Sequence, residues 1–92
     1  MQSHELEAKL DRIMAGIPAR CAELDRKFSL PGSEPTDPYD PETAASLLCD
    51  GIDAIVYEEL EIGGREMVRF VKRARKLAAK KWPALAGELV FN

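Results

Sequence analysis

The chain has 92 residues, 46% hydrophobic and 32% charged, with 13 Lys/Arg against 16 Asp/Glu and a formal charge of −3. A chain of that length holds one domain with a small core. This composition is that of an ordinary globular protein, and the absence of any run of ~18 apolar residues excludes a membrane-spanning helix. Two cysteines, Cys21 and Cys49, with no CxxC spacing and no histidine cluster, read as reduced core residues and argue against a disulfide scaffold or a cysteine-ligated zinc.

Taken in chain order, the polar, glutamate-bearing start from Met1 to Ala8 lacks the basic-then-apolar order of an export signal, so a cytoplasmic protein is expected. Ser3 reads as an N-cap with Glu5 and Glu7 in the first turn. From there Leu6, Leu10, Ile13, Ile17, Cys21, Leu24 and Phe28 recur at steps of 4, 3, 4, 4, 3 and 4, with Met14 beside them. At ~100° per residue these positions stay on one side of a helix. The stripe crosses Pro18 in phase, although proline removes one helical hydrogen bond and Gly16 weakens the same turn. The expectation is one helix over about residues 4–28, kinked at Pro18; two helices broken at Gly16 are the competing reading.

Residues 29–41 carry four prolines and a glycine and read as a loop, either an ordered crossover packed by Leu30 and Tyr39 or a flexible arm. Asp40 as cap, Pro41 at the first helical position and Glu42 behind it start a second helix, expected over about 41–61. Its apolar face comprises Ala45, Leu48, Ile52, Ile55 and Val56, flanked by Leu47, Cys49 and Leu60. Glu42, Asp50, Asp53 and Glu61 line the opposite side. Glu59 breaks the pattern by falling inside the apolar arc. Gly63-Gly64 reads as the terminator, and a third helix follows over about 65–81, with Met67, Phe70, Val71, Ala74, Leu77 and Ala78 on one face and Trp82-Pro83 as its stop. A β-hairpin turning at the two glycines is the alternative for residues 55–71, but its period of two buries Glu58, whereas the helical period accounts for 67–78 throughout. The tail, 83–92, with Leu85, Leu89, Val90 and Phe91, is too apolar to stand in water and is expected to pack on the bundle or on a partner chain. The fold class is therefore an all-α, small antiparallel bundle of three principal helices with a short apolar C-terminal segment, in a single domain spanning 1–92.

Charge is segregated along the chain. Residues 65–92 hold eight Lys/Arg against Glu66 and Glu88, a formal +6, while residues 1–64 hold five basic and fourteen acidic residues, −9. Between Phe28 and Gly64 there is no Lys or Arg and there are nine Asp/Glu. Two accounts compete. In the first, an acidic and a basic helix pair within the chain, with Glu58, Glu59 or Glu61 meeting Arg65, Arg69 or Arg73; such exposed pairs contribute only ~0–1 kcal/mol each. In the second, the arc of Arg65, Arg69, Lys72, Arg73, Arg75, Lys76 and Lys80 opposite the apolar stripe exceeds what the acidic helix can meet, and serves a partner.

Catalysis finds little support. His4, the only histidine, lies in the first helical turn; Gly63-Gly64 lacks the lysine and hydroxyl residue of a phosphate loop; Asp50 and Asp53 without histidine make a weak divalent-metal pair. No enzyme activity, cofactor or metal is expected. The leading reading is a small non-enzymatic adaptor or regulatory protein acting through protein–protein contacts, as a homodimer, with Arg65, Arg69, Lys72, Arg73, Lys76 and Lys80 as partner- or phosphate-binding residues. The partner is another chain, self or acidic. The second reading is a nucleic-acid-binding accessory protein using the same helix, which the lack of interleaved aromatic residues and the acidity of residues 1–64 weaken. A membrane partner ranks last.

Overall fold

A 26-residue helix, α1 (Ser3–Phe28), opens the structure, a computed structural model that describes residues 1–28, 32 and 37–89. It runs without interruption through Gly16 and Pro18, so the two-helix alternative is set aside. Pro18 is exposed, a position at which water can reach the carbonyl that loses its helical donor to the proline. The first helical hydrogen bond runs from Leu6 N to Gln2 O (3.0 Å), so Ser3 belongs to the first turn and the cap lies one residue earlier than expected. Leu6, Leu10, Ile17 and Cys21 are buried, but Phe28, counted in the apolar stripe, is 75% exposed. The helix outruns its partner: α1 is 26 residues long, whereas the segment it packs against has 20.

That segment begins as α2 (Pro41–Ala54), started as expected by Asp40, whose Oδ2 accepts from Thr43 N (3.2 Å) and Thr43 Oγ1 (3.1 Å), with Pro41 in the first turn. The turn before it is held by Asp37, whose Oδ1 accepts from Tyr39 N (2.9 Å). Tyr39 itself is exposed, and Leu30 lies outside the described residues. From Ile55 the backbone changes hydrogen-bonding step and continues as a π-helix, Ile55–Leu60. This resolves the anomaly at Glu59. A π step turns roughly 80° per residue in place of ~100°, so Glu59 swings to the edge of the apolar face and Leu60 takes its place over the core. Glu59 there meets Lys9 of α1 at 2.7 Å, and Leu60 packs against the buried cluster.

Glu61 ends the segment in a left-handed conformation (φ 49°), its N–H bonding Val56 O at 2.9 Å. The terminator is thus Glu61, two residues ahead of the glycine pair expected to serve; Gly64, at φ 60°, makes the second left-handed turn. Helix α3 (Gly64–Lys81) follows, burying Phe70, Ala74 and Ala78, with Met67, Val71 and Leu77 half-buried around them. A 3-10 turn, Pro83–Leu85, and a short helix, α4 (Ala86–Leu89), fold the tail back so that Leu85 and Leu89 are buried; Val90 and Phe91 lie outside the described residues. Among the described residues there is no strand, which removes the hairpin alternative, and no helix is long and apolar enough to cross a membrane.

α2 is central, touching α1, α3, the 3-10 turn and α4. It approaches α1 closely at Gly51, where an added Cβ meets Ile13 Cγ2 at 2.7 Å, Cδ1 at 2.8 Å and Cγ1 at 3.0 Å. Gly51→Ala gains ~0.5–1 kcal/mol of helix propensity but overpacks a β-branched neighbour at a cost of ~1–3 kcal/mol, so urea titration should show a net loss. In an Ile13→Ala background the same change should be neutral or stabilising, and additivity of the two substitutions would contradict the contact. Pro18→Ala restores a helical hydrogen bond and removes the ring's clash in an exposed turn. It should raise the melting temperature by several degrees, on a scale of about 4–8 °C per kcal/mol for a domain of this size.

Candidate functional site: the basic face of helix α3

Three- and four-residue steps from Arg65 to Lys80 carry the cations of α3 along one side of the helix, opposite Phe70, Ala74 and Ala78. Arg65, Arg69, Lys72, Arg73, Lys76 and Lys80 are all exposed. The structure therefore brings all six anticipated residues onto a single surface strip, about 22 Å long at 1.5 Å per residue. Arg75, grouped with them on the basic arc of the sequence, is instead half-buried on a flank, close enough to Cys49 for its charge to act on that thiol.

The pairing expected between the acidic and basic helices is not what forms. Among the described residues no ion pair joins Glu58, Glu59 or Glu61 to Arg65, Arg69 or Arg73. Glu59 is taken by Lys9, and Lys81 at the end of α3 reaches Asp11 of α1 at 3.0 Å while lying 5.5 Å from the Trp82 ring centroid. The remaining ion pairs, Arg20–Glu23 (4.0 Å) and Lys27–Glu23 (3.0 Å), are local to α1, and the Lys27 hydrogen bond holds the Glu23 carboxyl below its ordinary range. The physical reason is positional. The acids of the π segment fall beside α1, whereas the basic strip faces away from α2.

Between the strip and the start of α1 lies an open depression of about 500 Å³, lined by Arg69, Lys72, Arg73, Lys76, Lys80, Leu77 and Ser3. Arg73 Nη2 donates to Ser3 Oγ at 3.4 Å. Five cations with no carboxylate in the lining give a positive field across the depression, concentrated by the low-dielectric wall of the bundle. Ser3 was not legible as part of this face, since the contact joins residues 70 apart in sequence. At the Gly64 end, Met67 and Val68 add a small apolar patch between Arg65 and Arg69, with Val68 48% exposed.

Reactive groups do not converge elsewhere among the described residues. No cluster of three or more His, Cys, Asp or Glu is placed to hold a metal, and His4 is exposed on the first turn of α1. The cysteines are free and lie on inward faces; burial pushes the Cys21 thiol up, aided by Asp25 and Asp37, and burial raises that of Cys49 against the opposing influence of Arg75. No protein-family model, curated protein or solved structure matches the chain, so the reading of this face rests on its own geometry.

The raised thiols set a pH dependence. Unfolded cysteines ionise at their ordinary value while the folded ones hold their protons, so the unfolded state sheds protons first. The thiol contribution to stability is complete at neutral pH and falls from about pH 8.5 upward. Chemical denaturation of wild type and Cys21→Ala between pH 7 and 10 should show the alkaline decline reduced in the variant, and both thiols should react slowly with iodoacetamide at pH 7.

Proposed function

We propose that this protein is a small non-enzymatic adaptor or regulatory protein that acts through protein–protein contacts, as a homodimer in the cytoplasm, and that its docking surface is the basic strip of α3. The observation that supports this is the set of six exposed cations, Arg65, Arg69, Lys72, Arg73, Lys76 and Lys80, none of them in an ion pair with a carboxylate among the described residues. A folded domain with unneutralised like charges along one helix sustains mutual repulsion that an acidic protein surface relieves. The partner is accordingly another protein chain, self or acidic.

The depression beside Ser3, lined by five cations, supports a second reading in which nucleic-acid phosphates occupy the strip. It ranks lower because the exposed aromatic residues, Phe28, Tyr39 and Tyr57, lie on or before α2 and its π extension, leaving the strip without a base-stacking platform, and because the chain's net charge is negative.

Arg73→Glu with Lys76→Glu separates these readings. Both side chains are exposed, so the fold should persist within ~0.5 kcal/mol. At about 150 mM salt wild type should bind poly-glutamate and not a short DNA duplex, and the double reversal should abolish the poly-glutamate binding. Retention of the duplex at that ionic strength, with steep loss as salt rises, would reverse the ranking. Indifference of both probes to the double reversal rejects both readings.

A further inference from the structure

The acidic side of α2 is as regular as the basic side of α3. Glu42, Ser46, Asp50, Asp53 and Tyr57 recur at steps of 4, 4, 3 and 4, and all five are exposed. The π geometry from Ile55 keeps Tyr57 in line with the others, since the smaller turn per residue places it close to Asp53 in azimuth. On α3, the row Arg65, Arg69, Lys72, Lys76 and Lys80 advances at steps of 4, 3, 4 and 4. Read backwards, the acidic row has the same steps. Laid antiparallel, the two therefore match rung for rung: Tyr57 with Arg65, Asp53 with Arg69, Asp50 with Lys72, Ser46 with Lys76 and Glu42 with Lys80.

Both rows span about 22 Å at 1.5 Å rise per residue, and successive rungs lie about 4.5–6 Å apart. Each pairing is chemically apt. A guanidinium stacks on a phenol ring, a carboxylate accepts from an ammonium or guanidinium, and a hydroxyl accepts from an ammonium. Neither row is used inside the chain: among the described residues none of these ten side chains is in an ion pair. Their helices pack through other faces, α2 through Ala44, Ala45, Leu48 and Ile52 and α3 through Phe70, Ala74 and Ala78, which leaves both rows on the outside of the molecule.

We propose that the occupant of the basic strip is a second copy of this chain, whose acidic row on α2 pairs antiparallel with the basic row on α3. The proposal rests on the protein-contact reading above and specifies the partner. Its strength is in number and register, since isolated surface pairs contribute little, whereas aligned rows at low salt act together. Charge also disfavours the pairing of like rows, which sets acid against acid or cation against cation, and the matched steps favour the antiparallel register over a shifted one.

The test exchanges charge between the rows. The basic-row variant carries Arg69→Glu, Lys72→Glu and Lys76→Glu; the acidic-row variant carries Glu42→Lys, Asp50→Lys and Asp53→Lys, each checked for helicity by circular dichroism. By sedimentation velocity, wild type should dimerise, with affinity falling at least about tenfold between 50 and 500 mM salt. Each variant alone should be monomeric, and an equimolar mixture should regain the dimer. Should the acidic-row variant unfold, Asp50→Asn with Asp53→Asn serves in its place, and a dimer weakened about tenfold relative to wild type is expected. A monomeric wild type at every concentration, a dimer untouched by either variant, or two monomeric variants that fail to associate on mixing overturns the proposal. The poly-glutamate measurement keeps the two readings apart: the acidic-row variant retains an intact basic strip and should still bind that probe even where self-pairing fails. Duplex binding by wild type and acidic-row variant, without mixed dimers, overturns the proposal and gives the strip to nucleic acid.

Discussion

Ile13 rests on bare backbone at Gly51, and the spacing of α1 and α2 follows from that contact. A side chain at position 51 pushes against Cγ2 of a β-branched residue, which has no free rotation with which to yield. Because α2 also carries α3, the 3-10 turn and α4, its distance from α1 determines how deeply Leu6, Leu10 and Ile17 enter the cluster that the other elements complete. With cores packed at crystal-like density, a displacement of one methylene there is transmitted to the far side of the helix layer. The ion pairs Lys9–Glu59, from α1 to the π segment, and Lys81–Asp11, from α3 to α1, orient the helices more than they hold them.

The bundle divides its cations by position. Lys9 and Lys81 are spent on joining α1 to its neighbours, and Arg75 turns onto the flank facing Cys49. What remains on α3 is a row that, among the described residues, forms no ion pair, with Arg73 beside it meeting Ser3. The same separation holds for carboxylates: Glu59 and Asp11 are engaged across helices, while Glu42, Asp50 and Asp53 stand in water. Segregation of −9 and +6 between two parts of the chain thus persists in three dimensions as two uncompensated faces, and fields of that kind govern encounter and orientation.

Periodicity and capping made most of the architecture readable. The Asp40-Pro41 start, the continuous stripe through Pro18 and the apolar face of α3 each rest on interactions within one or two turns, which sequence spacing reports directly. The misreadings share a different origin. A helical wheel assumes one turn angle, so it placed Glu59 in the core and could not register the π step that carries it out. It also assigns no length to the opposing helix, so Phe28 was counted as buried. Glu61 in the left-handed region was hidden by the glycines beside it, which are the usual occupants of that conformation. For the candidate face, exposure of the six cations followed from amphipathicity alone. That none of them forms an ion pair among the described residues, and that Arg73 meets Ser3, depended on where Lys9 and Ser3 arrive, and those contacts join residues 50 and 70 apart.

The position of Leu89 in the core bears on how this chain folds as it is made. Leu85 and Leu89 close the space between α2 and α3, and Leu89 is fully buried. During synthesis the earlier helices emerge first, yet the parts of α2 and α3 that Leu85 and Leu89 cover stay open until residue 89 has left the ribosome. Cooperative closure is therefore a late event, and the nascent chain up to that point is held together by helix propensity and the α1–α2 contact. Until then the part of the core that Leu85 and Leu89 close is open to the surroundings, so the interval between emergence of α3 and arrival of α4 is the window in which chaperone capture or misassembly competes with folding.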